Sequence, residues 1–199
     1  MSQRVAGQAA ILAGITLVAI APSMAEEHEF TQELLELGRS ELAAIVREPV
    51  VIDAVRTQNA RTGTLPQTEI DALDTQWRAE IDAGSGAQPL ITETMSNAAS
   101  QYLASVQDGT EGVYTEMFVM DAVGLNVAQS TVTSDYWQGD EAKWQDSFGQ
   151  GADAIHVSEI EYDESSQVFQ SQVSLPVVDP DTGAPIGAIT VGINLWYLE

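Results

Sequence analysis

The 199-residue sequence predicts an α+β fold, a five-stranded antiparallel sheet with N-terminal helices packed on one face. Two observations predict it. Apolar residues recur with a helical period from Phe30 to Val106, and after Gly112 they fall into the alternation of strands. With 44% hydrophobic and 19% charged residues, a chain of this length can bury one core but cannot supply several membrane spans.

The helical elements follow in order. Between Phe30 and Arg47, Leu34, Leu35, Gly38, Leu42, Ile45 and Val46 form one apolar stripe, and Gly38 within it predicts close approach to whatever lies beneath. Pro49 interrupts the pattern and starts a shorter helix, VVIDAVRTQN. RTGTLP reads as a loop. Ile70, Leu73, Trp77 and Ile81 mark a second amphipathic helix, and AGSGAQP a second loop. Ile91, Met95, Ala98, Tyr102 and Val106 predict one further helix, ended by Asp108-Gly109.

The strands come next. VYTEMFVMD turns through Ala122-Val123-Gly124 into LNVAQSTV. The polar and aromatic insert TSDYWQGDEAKWQDSFGQG, with a short helix, then separates this hairpin from AIHVSEIEYD, VFQSQVSLPVVD and PIGAITVGINL. Turns at Glu164-Ser165-Ser166 and at Pro180-Asp181-Thr182-Gly183 join those three strands. Two strands, an insert and three antiparallel strands describe a PAS-like sheet.

The N-terminus reads as a targeting segment. Arg4 precedes an uncharged stretch whose apolar heart, AAILAGITLVAIA, is 13 residues long, short of the roughly 20 that span a bilayer. Pro22 breaks it, and Ser23-Met24-Ala25 offers small residues to a signal peptidase. The expectation is a signal peptide over residues 1–25 and export to the periplasm; an uncleaved anchor is the alternative.

Charge and composition exclude several functions. Thirty acidic residues against seven basic give a net charge of -23, a field that repels nucleic acid and anionic lipid. The absence of cysteine removes thiolate catalysis, disulfides and Cys-ligated metal. His28 and His156 make no metal-binding repeat. From Ala79 onward Lys143 is the only basic residue, and it is the only lysine in the chain. The acidic surface reads first as solvated; a face docking a basic partner is the other reading.

Two runs, FVMDAVGLNVAQSTVTSDYWQGDEAKW and SQVSLPVVDPDTGAPIGAITVGI, resemble the bacterial extracytoplasmic Cache (PDC-type) sensor domains. The D-x-x-G hairpin at Asp121 to Gly124 and the strand pair from Leu175 to Ile189 carry the resemblance most specifically. REPVVIDAVRTQN and DTQW are similar to that family's helical entry. The resemblance implies a single Cache domain over residues 26–199, with a helical portion at 26–108 and a sheet portion at 113–198. It also implies a small molecule bound between the sheet and the insert. Such domains usually sit outside a membrane helix that leads to a signalling module. This chain stops at Glu199, just after its last strand, so the expectation is a stand-alone ligand-binding domain.

The strand faces can be read directly. Phe169, Ser171, Val173 and Leu175, with Gly187, Ile189, Val191, Ile193 and Leu195, form a row suited to packing on the helices. The opposite row, Gln170, Gln172 and Ser174 with Ala188, Thr190, Gly192 and Asn194, is small and polar and leaves room for a ligand. A sheet with its polar row in water explains the same alternation.

The insert supplies most of the candidate site. Tyr136, Lys143 and Trp144 are similar in spacing to the tyrosine, arginine and tryptophan of amino-acid-binding Cache domains, with lysine in place of arginine and the tryptophan one position early. The candidate ligand-binding residues are Ser130, Asp135, Tyr136, Trp137, Lys143, Trp144, Gln170 and Gln172. Trp144 and Phe148, at i and i+4, read equally as core anchors, whereas Trp77 reads as core only. A carboxylate ligand would pair with Lys143, backbone N–H groups or an arginine of the helical half. A cation would meet an aromatic cage of Tyr136, Trp137 and Trp144 near Asp135. Amino acids, carboxylates and amines therefore stay open.

Catalysis has no support in the motifs: G-x-S-x-G, H-E-x-x-H and the P-loop are all absent. DPDTG is too short for an EF-hand loop and reads as a hairpin turn. The expectation is a periplasmic, non-enzymatic sensor-type domain with no cofactor and no metal. An accessory protein docking on a membrane-bound sensor or transporter is the alternative.

Overall fold

The computed structural model describes residues 24–84, 86–163 and 167–198. The signal-peptide expectation therefore lies outside the described residues, except for Met24 and Ala25, which open the first helix. The helical layer comprises α1 (Met24–Leu37), a π turn (Gly38–Leu42), α2 (Ala43–Ile45), α3 (Pro49–Thr62), α4 (Gln67–Asp82), α5 (Pro89–Ser96) and α6 (Ala98–Gly109). Then come β1 (Tyr114–Asp121), β2 (Asn126–Gln129), α7 (Ala142–Gln145), β3 (His156–Val157), β4 (Glu161–Asp163), β5 (Val168–Val178) and β6 (Pro185–Asn194). No helix among the described residues is long and apolar enough to cross a membrane.

The sheet is antiparallel, in the order β2-β1-β6-β5-β3, with β4 also paired to β5. The fold is thus α+β and PAS-like. The strand predicted over 154–163 is split into β3 and β4, because the register slips by one residue between Val157↔Val173 and Glu161↔Gln170. Ser158 causes the slip locally. Its hydroxyl accepts the Gln172 N–H (2.8 Å), where a backbone carbonyl would otherwise stand in the ladder.

Three helical expectations are adjusted. The loop read at RTGTLP begins later, since α3 continues through Arg61 and Thr62, with the Thr62 hydroxyl bonded back to the Gln58 carbonyl. The single helix expected from Ile91 to Val106 is two, α5 and α6, broken at Asn97. Asn97 caps α6 by accepting from the Ser100 N–H (2.9 Å), and its amide donates to the carbonyls of Thr94 and Val127. The helix expected from Phe30 to Arg47 runs straight into a π turn at Gly38. A Cβ on Gly38 would lie 3.3 Å from side-chain atoms of both Ile155 and Val173, which is the close approach its place in the stripe predicted.

The main core lies between this layer and one face of the sheet. Leu34, Leu42, Val51 and Val55 meet Met117, Val119, Val173, Ile189 and Val191, all buried. Cross-strand register sets the rows: Val119, Ile189 and Leu175 stand side by side, as do Met117, Val191 and Val173. Residues one position along face the other way, where a small apolar cluster of Phe118, Met120 and Ala188 is covered by Trp144 and Phe148 of the insert. A third cluster joins Ile70 and Trp77 of α4 and Ile91 of α5 to Leu125 and Tyr136.

Candidate functional site

The insert face of the sheet carries a polar row built by register. Glu116, Gly192 and Gln172 are paired across β1, β6 and β5, and Phe118, Thr190 and Ser174 form the next rank. Gly192 in the middle has no side chain, so the Gln172 amide reaches over it to donate to Glu116 Oε1 (2.8 Å). A Cβ there would stand 3.0 Å from Glu116 Cγ and press on the Thr115 hydroxyl. The Ser174 and Thr190 hydroxyls, both fully buried, lie 2.9 Å apart and are bonded to each other. Gln170 accepts from the Thr115 hydroxyl (2.7 Å).

The insert lies on this row. In α7, the Lys143 ammonium sits 5.4 Å from the centroid of the Phe118 ring and 2.8 Å from Glu141. Its neighbour Trp144 stacks at a tilt on Phe148, centroids 5.0 Å apart, and donates its indole N–H to the Asp121 carbonyl (3.1 Å). Burial raises the Glu116 carboxyl above the ordinary range, opposed by the Gln172 hydrogen bond and by the charge of Lys143. One carboxylate and one ammonium thus face a strip of amides and hydroxyls. Such a strip can recognise a small molecule carrying both charges.

The other half of the candidate set is elsewhere. Tyr136 is buried and stacked on Trp77, centroids 5.1 Å apart at 22°, and burial pushes its phenol up to about 12. The Trp137 indole donates to the Val123 carbonyl (2.8 Å). Asp135 accepts from the Gln138 amide (2.7 Å) and pairs with Arg78 (3.4 Å). Ser130 bonds the backbone of Met117 through its hydroxyl, accepting the N–H at 2.8 Å. The expected cage of Tyr136, Trp137 and Trp144 is therefore not assembled. Trp77 takes the face of Tyr136, and Phe148 takes Trp144.

Several residues outside the candidate set organise the site. Asp74 of α4 accepts the N–H groups of both Tyr136 and Trp137 (2.8 and 3.1 Å) and so fixes where the insert begins. Asp121, fully buried, accepts from Val123 N, Leu125 N, the Gln58 amide and the Thr62 hydroxyl, which explains the D-x-x-G turn as structure. Glu80 accepts from the N–H groups of Leu90 and Ile91 and anchors the start of α5. Glu116 had a signal, an acid within a strand that also carries Met117, Phe118, Val119 and Met120; Asp74 had none, since its partners lie 62 and 63 positions away. The DPDTG segment is a turn, with Arg56 of α3 bridging Asp179 (2.7 Å) and Asp181 (2.6 Å).

No family model and no curated protein sequence matches the chain. Solved structures do. The sensor domain of the histidine kinase DctB from V. cholerae is 15% identical (84% of this chain, 58% of that one, TM-score 0.39). The sensory domain of the Campylobacter jejuni chemoreceptor Tlp3 with isoleucine bound is 17% identical (83% and 64%, TM-score 0.40). The ligand-binding domain of the Pseudomonas aeruginosa amino acid chemoreceptor PctC in complex with GABA is 15% identical (87% and 59%, TM-score 0.40). This chain spans 58–64% of the length of those three.

Proposed function

We propose that this chain is a single Cache-type sensor domain over residues 26–199, exported behind a signal peptide, that binds a small zwitterionic metabolite without transforming it. Free amino acids are the leading candidates. The observation that carries the reading is the polar rank of Glu116, Gly192 and Gln172 on the insert face of the sheet, with the Lys143 ammonium over Phe118 of the next rank and its charge felt by the Glu116 carboxyl. The ammonium of the ligand would meet Glu116 and its carboxylate Lys143, with Gln170 and Gln172 on the strip and Trp144 as the roof. Trp144 and Phe148 pack on Phe118, Met120 and Ala188 beside this strip, so a ligand there would displace the four-residue helix α7. Stand-alone action in the periplasm belongs to the same proposal.

The test is a thermal-shift panel of amino acids, dicarboxylates and amines. A zwitterion should raise the melting temperature, and both Glu116→Gln and Lys143→Met should remove that response while staying folded. Carboxylates responding through Lys143 alone would change the ligand class, as would amines responding through Glu116 alone. No response to the panel would refute the reading.

A second reading has one specific observation behind it. Trp196 and Tyr197, in the turn after β6, are 78% and 52% exposed. Such aromatics anchor protein interfaces, and they suit the docking of a membrane-bound sensor or transporter. Trp196→Ser should abolish co-purification of such a partner without altering the ligand response.

A further inference from the structure

Strand β5 outruns its neighbour. On that edge β3 pairs only Ser174 and Val173, so Leu175 to Val178 have no strand partner there. The segment from Ala152 to Ile155 and the π turn at Gly38 close around this free edge and leave a cleft of about 330 Å³. That is at the small end of the ~300–1,000 Å³ typical of small-molecule sites. Val46, Ile155, Leu175 and Val178 give it apolar walls.

Its charges are unusual for this protein. Six of the seven basic residues are described, and four of them, Arg56, Arg61, Arg78 and Lys143, each pair with a carboxylate. The other two, Arg39 and Arg47, make no ion pair or side-chain hydrogen bond among the described residues, and both line this cleft. On a chain of net charge -23, cations are expected to be taken up by the surrounding carboxylates. Two guanidinia are instead left free at one concavity. The π turn, a device concentrated at functional sites, carries Arg39 and resets the helical phase before Arg47. Asp153 is the one acid in the lining, so the cleft keeps a single net positive charge.

We propose that this cleft binds a short apolar monocarboxylate. Its anionic end lies at the Arg39 and Arg47 guanidinia, which suit the two oxygens of a carboxylate. Its tail lies along Val46, Ile155, Leu175 and Val178. Asp153 disfavours a second carboxylate. The cleft lies on the helix-covered side at the sheet edge, apart from Lys143 and Glu116, so this site stands independently of the function proposed above.

Calorimetric titration of the full chain with sodium hexanoate, hexylammonium chloride and hexan-1-ol at constant ionic strength tests it. Saturable hexanoate binding is expected, at least tenfold tighter than either control. The double variant Arg39→Met, Arg47→Met should weaken it tenfold or more at unchanged melting temperature, because both side chains are exposed. Ala43→Phe fills the cleft with both arginines intact and should also remove binding, whereas Lys143→Met should not alter it. Absence of saturable binding, equal binding of all three probes, or full hexanoate affinity in the double arginine variant would overturn the proposal. Loss in Lys143→Met with retention in the arginine variant would overturn it too, while supporting the insert-face site. Hexanoate lost only with the arginines, beside a panel with no zwitterion response, would uphold this cleft and refute that site.

Discussion

The ring of Tyr136 lies on that of Trp77, with centroids 5.1 Å apart and planes 22° from parallel. This contact, not a ligand, holds the start of the insert against helix α4. Trp77 is fully buried and also donates its indole N–H to the Thr133 carbonyl (2.9 Å). Trp77→Ala should therefore cost roughly 3–5 kcal/mol and lower the melting point strongly. Tyr136→Phe keeps the stack and should cost far less. Equal losses for the two would mean that the phenol hydroxyl, not the stack, fastens the insert.

Asp74 should matter out of proportion to its place on a polar helix face. Losing the acceptor for Tyr136 N and Trp137 N leaves two backbone donors unpaired, at a cost of about 1–3 kcal/mol. Hydrogen exchange should accelerate at residues 136 and 137 in Asp74→Ala and stay slow in β5 and β6. Unchanged exchange at those two amides would contradict the role given to Asp74.

Acid should weaken the join between α3 and the β5–β6 turn. Hydrogen bonds from Arg56 hold the Asp179 carboxyl at about 2, below its ordinary value of 3.8. A carboxylate depressed in the folded state stabilises above its unfolded value, and that contribution is lost as the pH falls through the folded one. Stability should thus decline between about pH 4 and pH 2, and Arg56→Met should flatten that part of the curve. An Arg56→Met profile parallel to the parent's would remove Asp179 from the account.

Salt should stabilise the protein. At a net charge of -23 with few ion pairs, self-repulsion is relieved as ions screen it. The melting temperature should climb between low and moderate sodium chloride. A flat curve would mean that the carboxylates are spaced widely enough not to repel.

Gly192 should resist substitution because Thr115, Glu116 and Gln170 crowd the space a side chain would take. Gly192→Ala places a methyl against Thr115 and Glu116. It should break the Gln172–Glu116 bond and abolish any ligand response before it unfolds the sheet. A full thermal-shift response in Gly192→Ala would argue that the ligand does not lie on this strip.

Periodicity carried the fold because the strongest signals are local. The stripe from Leu34 to Val46, the alternation in β5 and β6, and Gly38 as a point of close approach all follow from side-chain spacing along single elements. What was not legible depends on contacts made across the chain. Asn97 breaks a periodic helix through a cap and a bond to Val127, and Ser158 splits a strand by replacing a backbone acceptor. The candidate site divided for the same reason. Tyr136 and Lys143 are seven positions apart in sequence, yet one turns to α4 and the other to the sheet. Spacing alone could not show that Trp77 would occupy the tyrosine ring.

The most direct test is native mass spectrometry of the full chain purified without refolding, followed by release and identification of anything retained. A small adduct, zwitterionic on release, is expected in the parent protein and should be absent from Lys143→Met and Glu116→Gln preparations. A bare protein mass in the parent, together with no thermal response to added amino acids, would contradict it.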